Sequence, residues 1–387
     1  MEPDFIIVGG GAVGLALARA ARGSAVALVS SERREPPAQG DGPVDARVYM
    51  LSPGNVAFLR ELRAWQGLPP ARTNPVHAMR IFGDREGSSI EFDAYRAGVP
   101  ELAWTVEDRV LQDALWQAAQ GADGVEIIAP AACETLEITP SQARLRLKGG
   151  RELSAALVVG ADGASSFVRA RAGILSSTRD YGQAAVVASF ECEKPHRNTA
   201  LQWFQGGPVL ALLPLSANRV SMVWSLASQD AQSVLQLEPD ALCRAVEAAS
   251  RHFLGALSLL APARSYPLRR LAARRLIAPR VALAGDAAHV IHPLAGQGLN
   301  LGLQDARTLA ALLSSRERAS DAGDLQLLRR YERSRAEPIL SMDLMVEGLF
   351  RLFGSRSGGI ARLRNAGLNL TGHLPVLRNL LIRHAMQ

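Results

Sequence analysis

A short apolar segment that runs directly into a glycine-rich turn constrains the fold of this chain more than any other feature. Asp4–Val8 is predicted to be a buried strand, the run Gly-Gly-Gly-Ala-Val-Gly follows at residues 9–14, and a helix is predicted over Leu15–Arg22. In a strand–turn–helix unit, Gly9 permits the tight turn, Gly11 lets a pyrophosphate approach the backbone, and Gly14 lets helix and strand pack closely. The segment therefore predicts a Rossmann-like unit with a dinucleotide site.

The strand after this helix should end in an acid that binds the adenosine ribose. Ala25–Val29 fits that strand, but Ser30 stands where the acid is expected, and Glu32 follows two positions later. Because side chains alternate along a strand, Ser30 and Glu32 point the same way. We expect Glu32 to make the ribose contact, although the pattern leaves open whether it replaces Ser30.

Composition limits the classes of function. A chain of 387 residues exceeds one ordinary core, so two domains are expected. The net charge of +6 is modest, and no basic stripe is interleaved with aromatic residues, so nucleic acid is not an expected partner. The three cysteines lie far apart, and His289 and His292 lack carboxylates at ligand spacing, so neither a disulfide framework nor a metal site is predicted.

A second strand–loop–helix unit lies far along the chain. Arg280–Ala284 is predicted to be a short strand that ends at Gly285-Asp286, and a glycine-rich loop then leads to a helix that begins near Leu299. A helix N-terminus offers unpaired N–H groups and a partial positive charge. It would stabilise a ligand that gains negative charge during a reaction, such as a reduced isoalloxazine ring.

Three motifs in order resemble the FAD fingerprints of the single-component aromatic-ring hydroxylases, which share the para-hydroxybenzoate hydroxylase-like fold. They are the glycine turn at 9–14, Gly-Ala-Asp-Gly-x-x-Ser-x-x-Arg at 160–169, and the run from Gly285-Asp286 through the loop to residue 300 and on to Asp305-Ala306. Asp45–Pro53 resembles the family's D-x-R-x-x-x-L-S segment, and Val106–Leu111 its V-E-N/D-R-x-L segment. The resemblance implies FAD contacts at Arg47, Arg109, Asp162, Asp286, Pro293, Gly296, Gln297, Gly298, Leu299 and Asn300. Of these, Pro293, Gly296 and Gly298 would line the flavin, and no catalytic base is identified.

The C-terminal half resembles the ubiquinone-biosynthesis hydroxylases more narrowly, through Tyr266-Pro267-Leu268, Tyr331–Arg335 and Leu349–Phe353. This resemblance implies hydroxylation of a polyprenylated phenol or quinol, with NAD(P)H and O₂ as co-substrates and a flavin C4a-hydroperoxide as the oxygen donor. The alternatives are a soluble-phenol hydroxylase, a flavin reductase of prenyl double bonds, and a non-catalytic flavin-binding scaffold of a quinone-synthesis complex.

The expected architecture is an α/β fold in which a Rossmann-like FAD-binding domain is interleaved with an antiparallel-sheet substrate domain and followed by C-terminal helices. The FAD-binding domain is assigned to residues 1–72, 100–177 and 270–340, the substrate domain to 73–99 and 178–269, and the C-terminal helical segment to 341–387. The substrate domain holds apolar residues that could wall a pocket or simply form its core, namely Trp203, Leu212, Pro214, Met222 and Trp224.

No run of about 20 uncharged apolar residues predicts a membrane span. We therefore expect a cytoplasmic protein. Leu374, Leu377, Leu380 and Leu381, with Arg378 and Arg383, predict a short basic amphipathic helix. That helix would either pack on the body or dock at the inner face of the membrane or on a partner of a quinone-synthesis complex. The oligomeric state, a homo-oligomer included, is left open.

Overall fold

The computed structural model describes residues 2–34, 44–84, 87–293, 296–317 and 320–354. Its strands, in chain order, are β1 (Phe5–Val8), β2 (Val26–Val29), β3 (Val48–Leu51), β4 (Thr73–Val76), β5 (Ala78–Phe82), β6 (Ser89–Asp93), β7 (Ala103–Glu107), β8 (Val125–Ile128), β9 (Cys133–Ile138), β10 (Ala143–Leu147), β11 (Glu152–Ala155), β12 (Leu157–Gly160), β13 (Ser176–Cys192), β14 (Thr199–Phe204), β15 (Val209–Leu215), β16 (Arg219–Ala227), β17 (Leu257–Leu259), β18 (Arg264–Ala273), β19 (Ile277–Ala278), β20 (Val281–Leu283) and β21 (His289–Val290).

The α-helices are α1 (Ala12–Ala20), α2 (Pro53–Glu61), α3 (Ala94–Ala97), α4 (Asp108–Gln120), α5 (Phe167–Arg171), α6 (Ser228–Leu235), α7 (Pro239–Ala249), α8 (Gly298–Ser314) and α9 (Leu325–Gly354). The predicted amphipathic helix with Leu374 to Arg383 lies outside the described residues. Among the helices that are described, α9 included, no helix is long and apolar enough to pass through a bilayer.

A parallel sheet carries the glycine-rich turn. Its strand order is β19-β20-β12-β1-β2-β8, and only the edge strand β19 runs antiparallel to its neighbour. Every residue of β1, β2 and β12 is buried, as expected when helices cover both faces of a parallel sheet. This arrangement confirms the Rossmann-like unit that the first strand and turn predict.

A larger, mainly antiparallel sheet lies beside it, with the strand order β21-β18-β13-β16-β15-β14-β5-β6 and with β17 paired to β13. One face of this sheet packs under α6 and α7, where Phe190, Trp203 and Val246 belong to one buried cluster. The other face is turned toward the parallel sheet's glycine-rich loops. The mixed α/β class with an antiparallel second sheet and C-terminal helices is thereby confirmed.

The chain passes between the two sheets several times. β5 and β6 leave the N-terminal part to join the large sheet, and β21 joins it from the segment that follows β20. β4 instead pairs with β7 in a small sheet of order β3-β7-β4, and β9, β10 and β11 form another small sheet. Strand β13 begins at Ser176 and β18 ends at Ala273, a few residues beyond the expected boundaries at 178 and 269.

Close glycine packing joins α1 to α8. A Cβ placed on Gly302 would lie 2.7 Å from Val13 Cγ2 and 3.2 Å from the Cα of Gly285. The two helices therefore approach closely only because residue 302 has no side chain. This approach brings the N-terminal ends of α1 and α8 to the same side of the parallel sheet.

We predict that Gly302→Ala lowers the free energy of unfolding by about 1–3 kcal/mol, because its methyl group overpacks the α1–α8 contact. Gly348→Ala is the matched control: it is also a helical glycine, but its Cβ would meet no atom within 4 Å. The control should gain up to about 1 kcal/mol from helix propensity. Urea unfolding of both variants measures the difference, and equal stability of the two would contradict the packing argument.

Candidate functional site

One large cavity lies between the glycine-rich loops and the inner face of the large sheet. Its volume is about 1060 Å³, above the range of about 300–1,000 Å³ usual for small-molecule sites. Three kinds of wall enclose it: the N-terminal ends of α1 and α8 with their loops, the sheet face opposite them, and one side of α9. The cavity is therefore large enough to hold a cofactor and a substrate together.

The two helix ends at this cavity lack the usual capping. The N-cap residues Gly11 of α1 and Gln297 of α8 make no side-chain cap bond, and neither helix has an acidic residue in its first turn. Every other helix in the described part of the chain has a capping side chain or an acid there. Exposed N–H groups and the helix dipoles thus face the cavity, where they suit a ligand with negative charge.

The glycines of the first motif have different roles. Gly9 has φ of +121°, and a Cβ there would lie 2.2 Å from the carbonyl oxygen of Ala161. A Cβ on Gly14 would lie 2.0 Å from the carbonyl oxygen of Gly9, so the fold itself requires both. A Cβ on Gly11 would meet nothing within 4 Å, and Gly11 lines the cavity. The protein's own packing thus leaves this space open to a ligand.

The second motif places a carboxylate at the cavity wall. β20 ends before Gly285, whose φ of +61° turns the chain so that Asp286 lies on the wall. Within the described residues the Asp286 side chain has no hydrogen-bond partner. The surrounding protein raises the pKa of Asp286 by desolvation, and the charges of His289 and Arg47 partly offset this effect. The carboxylate is thus positioned to accept hydrogen bonds from ligand hydroxyl groups.

A buried carboxylate that we did not predict as a site residue holds this turn. Asp305 Oδ2 accepts from the Gly285 amide at 2.9 Å and pairs with His289 Nε2 at 2.6 Å, and its Oδ1 accepts from Arg335 Nε at 2.6 Å. Burial alone would raise the pKa of Asp305, but the hydrogen bonds and charges of His289 and Arg335 hold it below its usual value. Asp305 therefore stays ionised and ties α8 and α9 to the turn.

Arg47 is held at the cavity wall by its surroundings. Its guanidinium lies 4.8 Å from the centre of the Tyr266 ring and 4.0 Å from the Asp108 carboxylate. Tyr49, which also lines the cavity, interacts with Arg47, and burial raises the pKa of Tyr49 well above its usual value. A cation and the neutral Tyr49 phenol thus meet at this part of the wall.

The wall brings together most of the predicted cofactor residues. Those that share it with Gly11 are Arg47, Asp286, Pro293, Gly296, Gln297, Gly298 and Leu299.

Other predicted cofactor residues lie off this wall. Glu32 is exposed beyond the end of β2, where its amide donates to Ser30 Oγ. Arg109 is half exposed and its amide donates to Asp45. Asp162 accepts from Ser166 Oγ and from the amide of Val168 in the first turn of α5, while its neighbours Ala161 and Gly163 line the cavity.

Asn300 is fully used inside the protein. Its Oδ1 accepts from the amide of Ser52 at 2.9 Å and from Asn55 Nδ2 at 2.8 Å, and its Nδ2 donates to the carbonyl of Met50 at 2.8 Å. The side chain therefore fastens the start of α8 to the loop between β3 and α2. A contact of Asn300 with a cofactor would have to come from its backbone.

The structure corrects the expected substrate-pocket residues. Trp203, Leu212, Met222 and Trp224 belong to the buried cluster under α6 and α7, on the outer face of the large sheet, and Pro214 shares that face by strand alternation. None of the five lines the cavity among the described residues. The cavity is lined by the alternate positions of the same strands, namely Gln202, Phe204, Val209, Ala211, Leu213, Val223 and Ser225.

Helix α9 forms the third wall through Met342, Met345, Leu349 and Leu352. Two ion pairs attach it to the large sheet: Arg270 binds the Asp343 carboxylate through two bonds of 2.7 and 2.6 Å, and Arg179 binds Glu347 at 2.6 Å. The ring of His292 packs between these elements, and burial lowers the pKa of His292 to about 4. His292 is therefore neutral near pH 7, which suits this apolar contact.

The four arginines at 269, 270, 274 and 275 form a charged run on the sequence. Arg269 lies 3.7 Å from Asp180, Arg270 pairs with Asp343, and Arg275 lies 3.3 Å from Glu332. Three of them thus have acidic partners within the protein.

In the described ranges, no group of three His, Cys, Asp or Glu side chains converges as a metal site would require.

A parallel sheet with a glycine-rich dinucleotide motif and two uncapped helix ends that face an antiparallel sheet across a large cavity are together the features of an FAD-binding flavoprotein. A family model described as FAD binding domain matches residues 2–341. The chain is 33 % identical to the 3-demethoxyubiquinol 3-hydroxylase of Escherichia coli over 99 % of its length and 98 % of that protein. It is 33 % identical to the ubiquinone hydroxylase UbiL of Rhodospirillum rubrum over 99 % of this chain and 89 % of the relative.

Among solved structures, pqsL, described as a probable FAD-dependent monooxygenase from Pseudomonas aeruginosa, has the same fold. It superimposes with a TM-score of 0.80 at 23 % identity, over 96 % of this chain and 100 % of that one. The chain therefore belongs to the FAD binding domain family that includes the ubiquinone hydroxylases. FAD as the cofactor is confirmed, and the open space at Gly11, the Asp286 carboxylate on the cavity wall and the uncapped end of α8 fit it.

We predict that Gly11→Ala weakens FAD binding at least tenfold, because its methyl group occupies space that the cofactor needs, while the stability of the apoprotein changes little. Gly14→Ala is the contrasting variant, since its Cβ would collide with the protein's own backbone and lower the stability of the apoprotein. FAD titration by fluorescence quenching and thermal unfolding of the apoprotein measure the two effects. An apoprotein that unfolds at the same temperature in both variants would contradict the assignment.

Proposed function

We propose that this protein is an FAD-dependent monooxygenase that hydroxylates the aromatic ring of a polyprenylated phenol or quinol in ubiquinone biosynthesis, with NAD(P)H and O₂ as co-substrates. The observation that carries the proposal is the composition of the cavity: a wall built for a charged cofactor faces a wall that is almost wholly apolar. The hydroxylases of Escherichia coli and Rhodospirillum rubrum named above support the choice of substrate.

The N-terminal ends of α1 and α8 and their loops form the cofactor wall of the cavity. This wall would hold FAD through groups that the protein already orients. The N-terminal end of α1 would receive the pyrophosphate beside Gly11, and Asp286 would accept hydrogen bonds from the ribityl hydroxyl groups. Pro293, Gly296 and Gly298 would line the isoalloxazine ring. The N–H groups of Gly298 and Leu299 would stabilise negative charge on that ring when it is reduced. Bound there, the flavin supplies the redox chemistry that activates O₂.

The inner face of the large sheet, together with α9, would hold the substrate and exclude water. Ile81, Phe204, Val209 and Val223 present apolar surface from four neighbouring strands, and Leu349 of α9 closes the side. A lipid-like phenol gains free energy on entering such a cavity, because its own apolar surface leaves water. The same walls limit contact between water and the reacting atoms, which protects a reactive oxygen donor from side reactions. No side chain is proposed as a catalytic base.

NAD(P)H would bind transiently. The described chain contains one parallel sheet with one glycine-rich fingerprint at residues 9–14, which the FAD pyrophosphate would use. The nicotinamide cofactor must therefore reduce the flavin from a groove at the cavity mouth and then leave. Contact with the inner face of the membrane, or with partners of a quinone-synthesis complex, is proposed because the substrate is a lipid.

Three other functions use the same fold and remain distinguishable. A soluble-phenol hydroxylase would oxidise NAD(P)H rapidly with phenols that lack a prenyl chain. A reductase of prenyl double bonds would yield a product that contains no added oxygen atom. A flavin-binding scaffold would show no substrate-dependent oxidation of NAD(P)H.

We predict that deleting the gene lowers cellular ubiquinone and causes a polyprenylphenol that lacks one hydroxyl group to accumulate. Mass spectrometry of extracted quinone lipids measures both, and reintroducing the wild-type gene, but not the Gly11→Ala variant, should restore the profile. With NAD(P)H under ¹⁸O₂, the purified FAD-loaded protein should add one ¹⁸O atom to that intermediate, while the second oxygen atom leaves as water. An unchanged quinone profile, in cells with no second hydroxylase, would contradict the proposed substrate.

A further inference from the structure

The large sheet presents a nearly buried serine to the cavity. Ser225 lies on β16, lines the cavity and is only 4 % exposed. Within the described residues its hydroxyl has no protein hydrogen-bond partner, and its oxygen is not among the side-chain atoms that are closed off from solvent. The hydroxyl is therefore open to the cavity, and a ligand that displaces water there leaves it unsatisfied unless the ligand itself supplies a hydrogen-bond partner.

The register of the sheet explains why no neighbour bonds to Ser225. Its cross-strand partners are Val209 on β15 and Ala185 on β13. Both have aliphatic side chains that can neither donate nor accept a hydrogen bond. Because Ala185 is small, it leaves space between Ser225 and Tyr266, the next residue in this row on β18.

Tyr266 forms the far side of that space. Arg47 lies 4.8 Å from the centre of its ring and limits where the ring can lie. The row from β16 to β18 therefore runs Ser225, Ala185, Tyr266, which is a hydroxyl group, a gap and an aromatic ring. A flat ring that entered the gap would have aromatic surface on one side and a hydroxyl group on the other.

A second serine on the same strand shows that position matters. Ser221 shares the strand face with Ser225, since the two are four residues apart. In the described part of the chain its hydroxyl also has no partner, but it is closed off from solvent and does not line the cavity. Ser221 cannot reach a ligand in the cavity, so it provides a matched control in which the same group is removed from the same strand.

We propose that Ser225 binds the phenolic oxygen of the substrate and so positions the aromatic ring in the cavity. This inference rests on the proposed function and deepens it, because it assigns the residue that recognises the ring's oxygen substituent. A phenol that enters an apolar cavity loses its hydrogen bonds to water. A serine hydroxyl can both donate and accept, as a phenol does, so the pair satisfies both groups.

The apolar side chains of the large sheet and the Ser225 hydroxyl would then have different roles in binding the substrate. The apolar side chains take up the hydrocarbon part of the substrate, which has no fixed orientation of its own. The Ser225 hydroxyl fixes which ring edge faces the cofactor wall. A site that bonds a substrate hydroxyl discriminates against an analogue that lacks it, because the site's polar group is then left unsatisfied.

The test is a binding cycle with the FAD-loaded protein and two probes, 2-geranylphenol and geranylbenzene, which differ only in the hydroxyl group. Dissociation constants are measured from the change in flavin absorbance for the wild type, Ser225→Ala and Ser221→Ala. Ser225→Ala should weaken binding of 2-geranylphenol about fivefold to tenfold and leave geranylbenzene unchanged, while Ser221→Ala should change neither. Ser225→Thr, which keeps the hydroxyl group, should retain the preference for the phenol.

Loss of affinity for both probes in Ser225→Ala would assign a role in shape alone and would overturn the proposal, as would unchanged affinity for both. Equal flavin content in all variants establishes that the fold and the cofactor wall are intact. A wild-type protein that binds neither probe and oxidises no NAD(P)H with 2-geranylphenol would instead contradict the proposed function. The two failures are therefore separate results.

Discussion

The arrangement of the cofactor wall depends on one fully buried carboxylate. Asp305 joins three elements that are distant in sequence: the turn at Gly285, the His289 ring and the Arg335 guanidinium on α9. Its charge is compensated on both oxygens, which is the condition under which a buried ion is tolerated. Removing one partner of such a group typically costs about 3–5 kcal/mol. The turn that presents Asp286 to the cavity is thus fixed from behind.

Two further contacts connect the turn held by Asp305 to the rest of the cofactor wall. The absence of a side chain at Gly302 lets α1 approach α8, and Asn300 fastens the start of α8 to the loop after β3. Both uncapped helix ends and the Arg47 segment therefore meet at one cavity. Opposite them, the large sheet turns alternate side chains inward, and α9 closes the side while it carries Arg335 to the anchor. One helix thus contributes to both the cofactor wall and the substrate wall.

The sequence was most informative where the backbone itself makes the site. Gly9, Gly11 and Gly14 follow a strand at fixed spacing, so their roles could be predicted without knowledge of any distant residue. The substrate wall could not be predicted in this way. On β15 both faces are apolar, since one packs under α6 and α7 and the other lines the cavity. On β14 and β16, Gln202, Ser221 and Ser225 mark the inner face, and side-chain size favoured Trp203 and Trp224, which both lie on the outer face.

The role of Asp305 and the position of α9 could not be predicted, for a related reason. Asp305 belongs to the family pattern, but it lies seven residues after the start of α8, and nothing in its local sequence shows that His289 and Arg335 converge on it. A single carboxylate in an amphipathic helix is usually exposed, so its burial is a property of the tertiary structure. The position of α9 over the cavity likewise depends on pairs such as Arg270 with Asp343, which are separated by 73 residues.

The FAD affinity of Asp305→Asn, compared with that of Asp321→Asn, is the direct test of whether the buried carboxylate positions the cofactor wall. Asp321 also pairs with an arginine, Arg280, but that pair is partly exposed and does not line the cavity. We expect the dissociation constant for FAD to rise at least tenfold in Asp305→Asn, because the Gly285–Asp286 turn loses its anchor, and to be unchanged in Asp321→Asn. Equal FAD affinity in the two variants, at a temperature where both are folded, would contradict the claim that the buried carboxylate positions the cofactor wall.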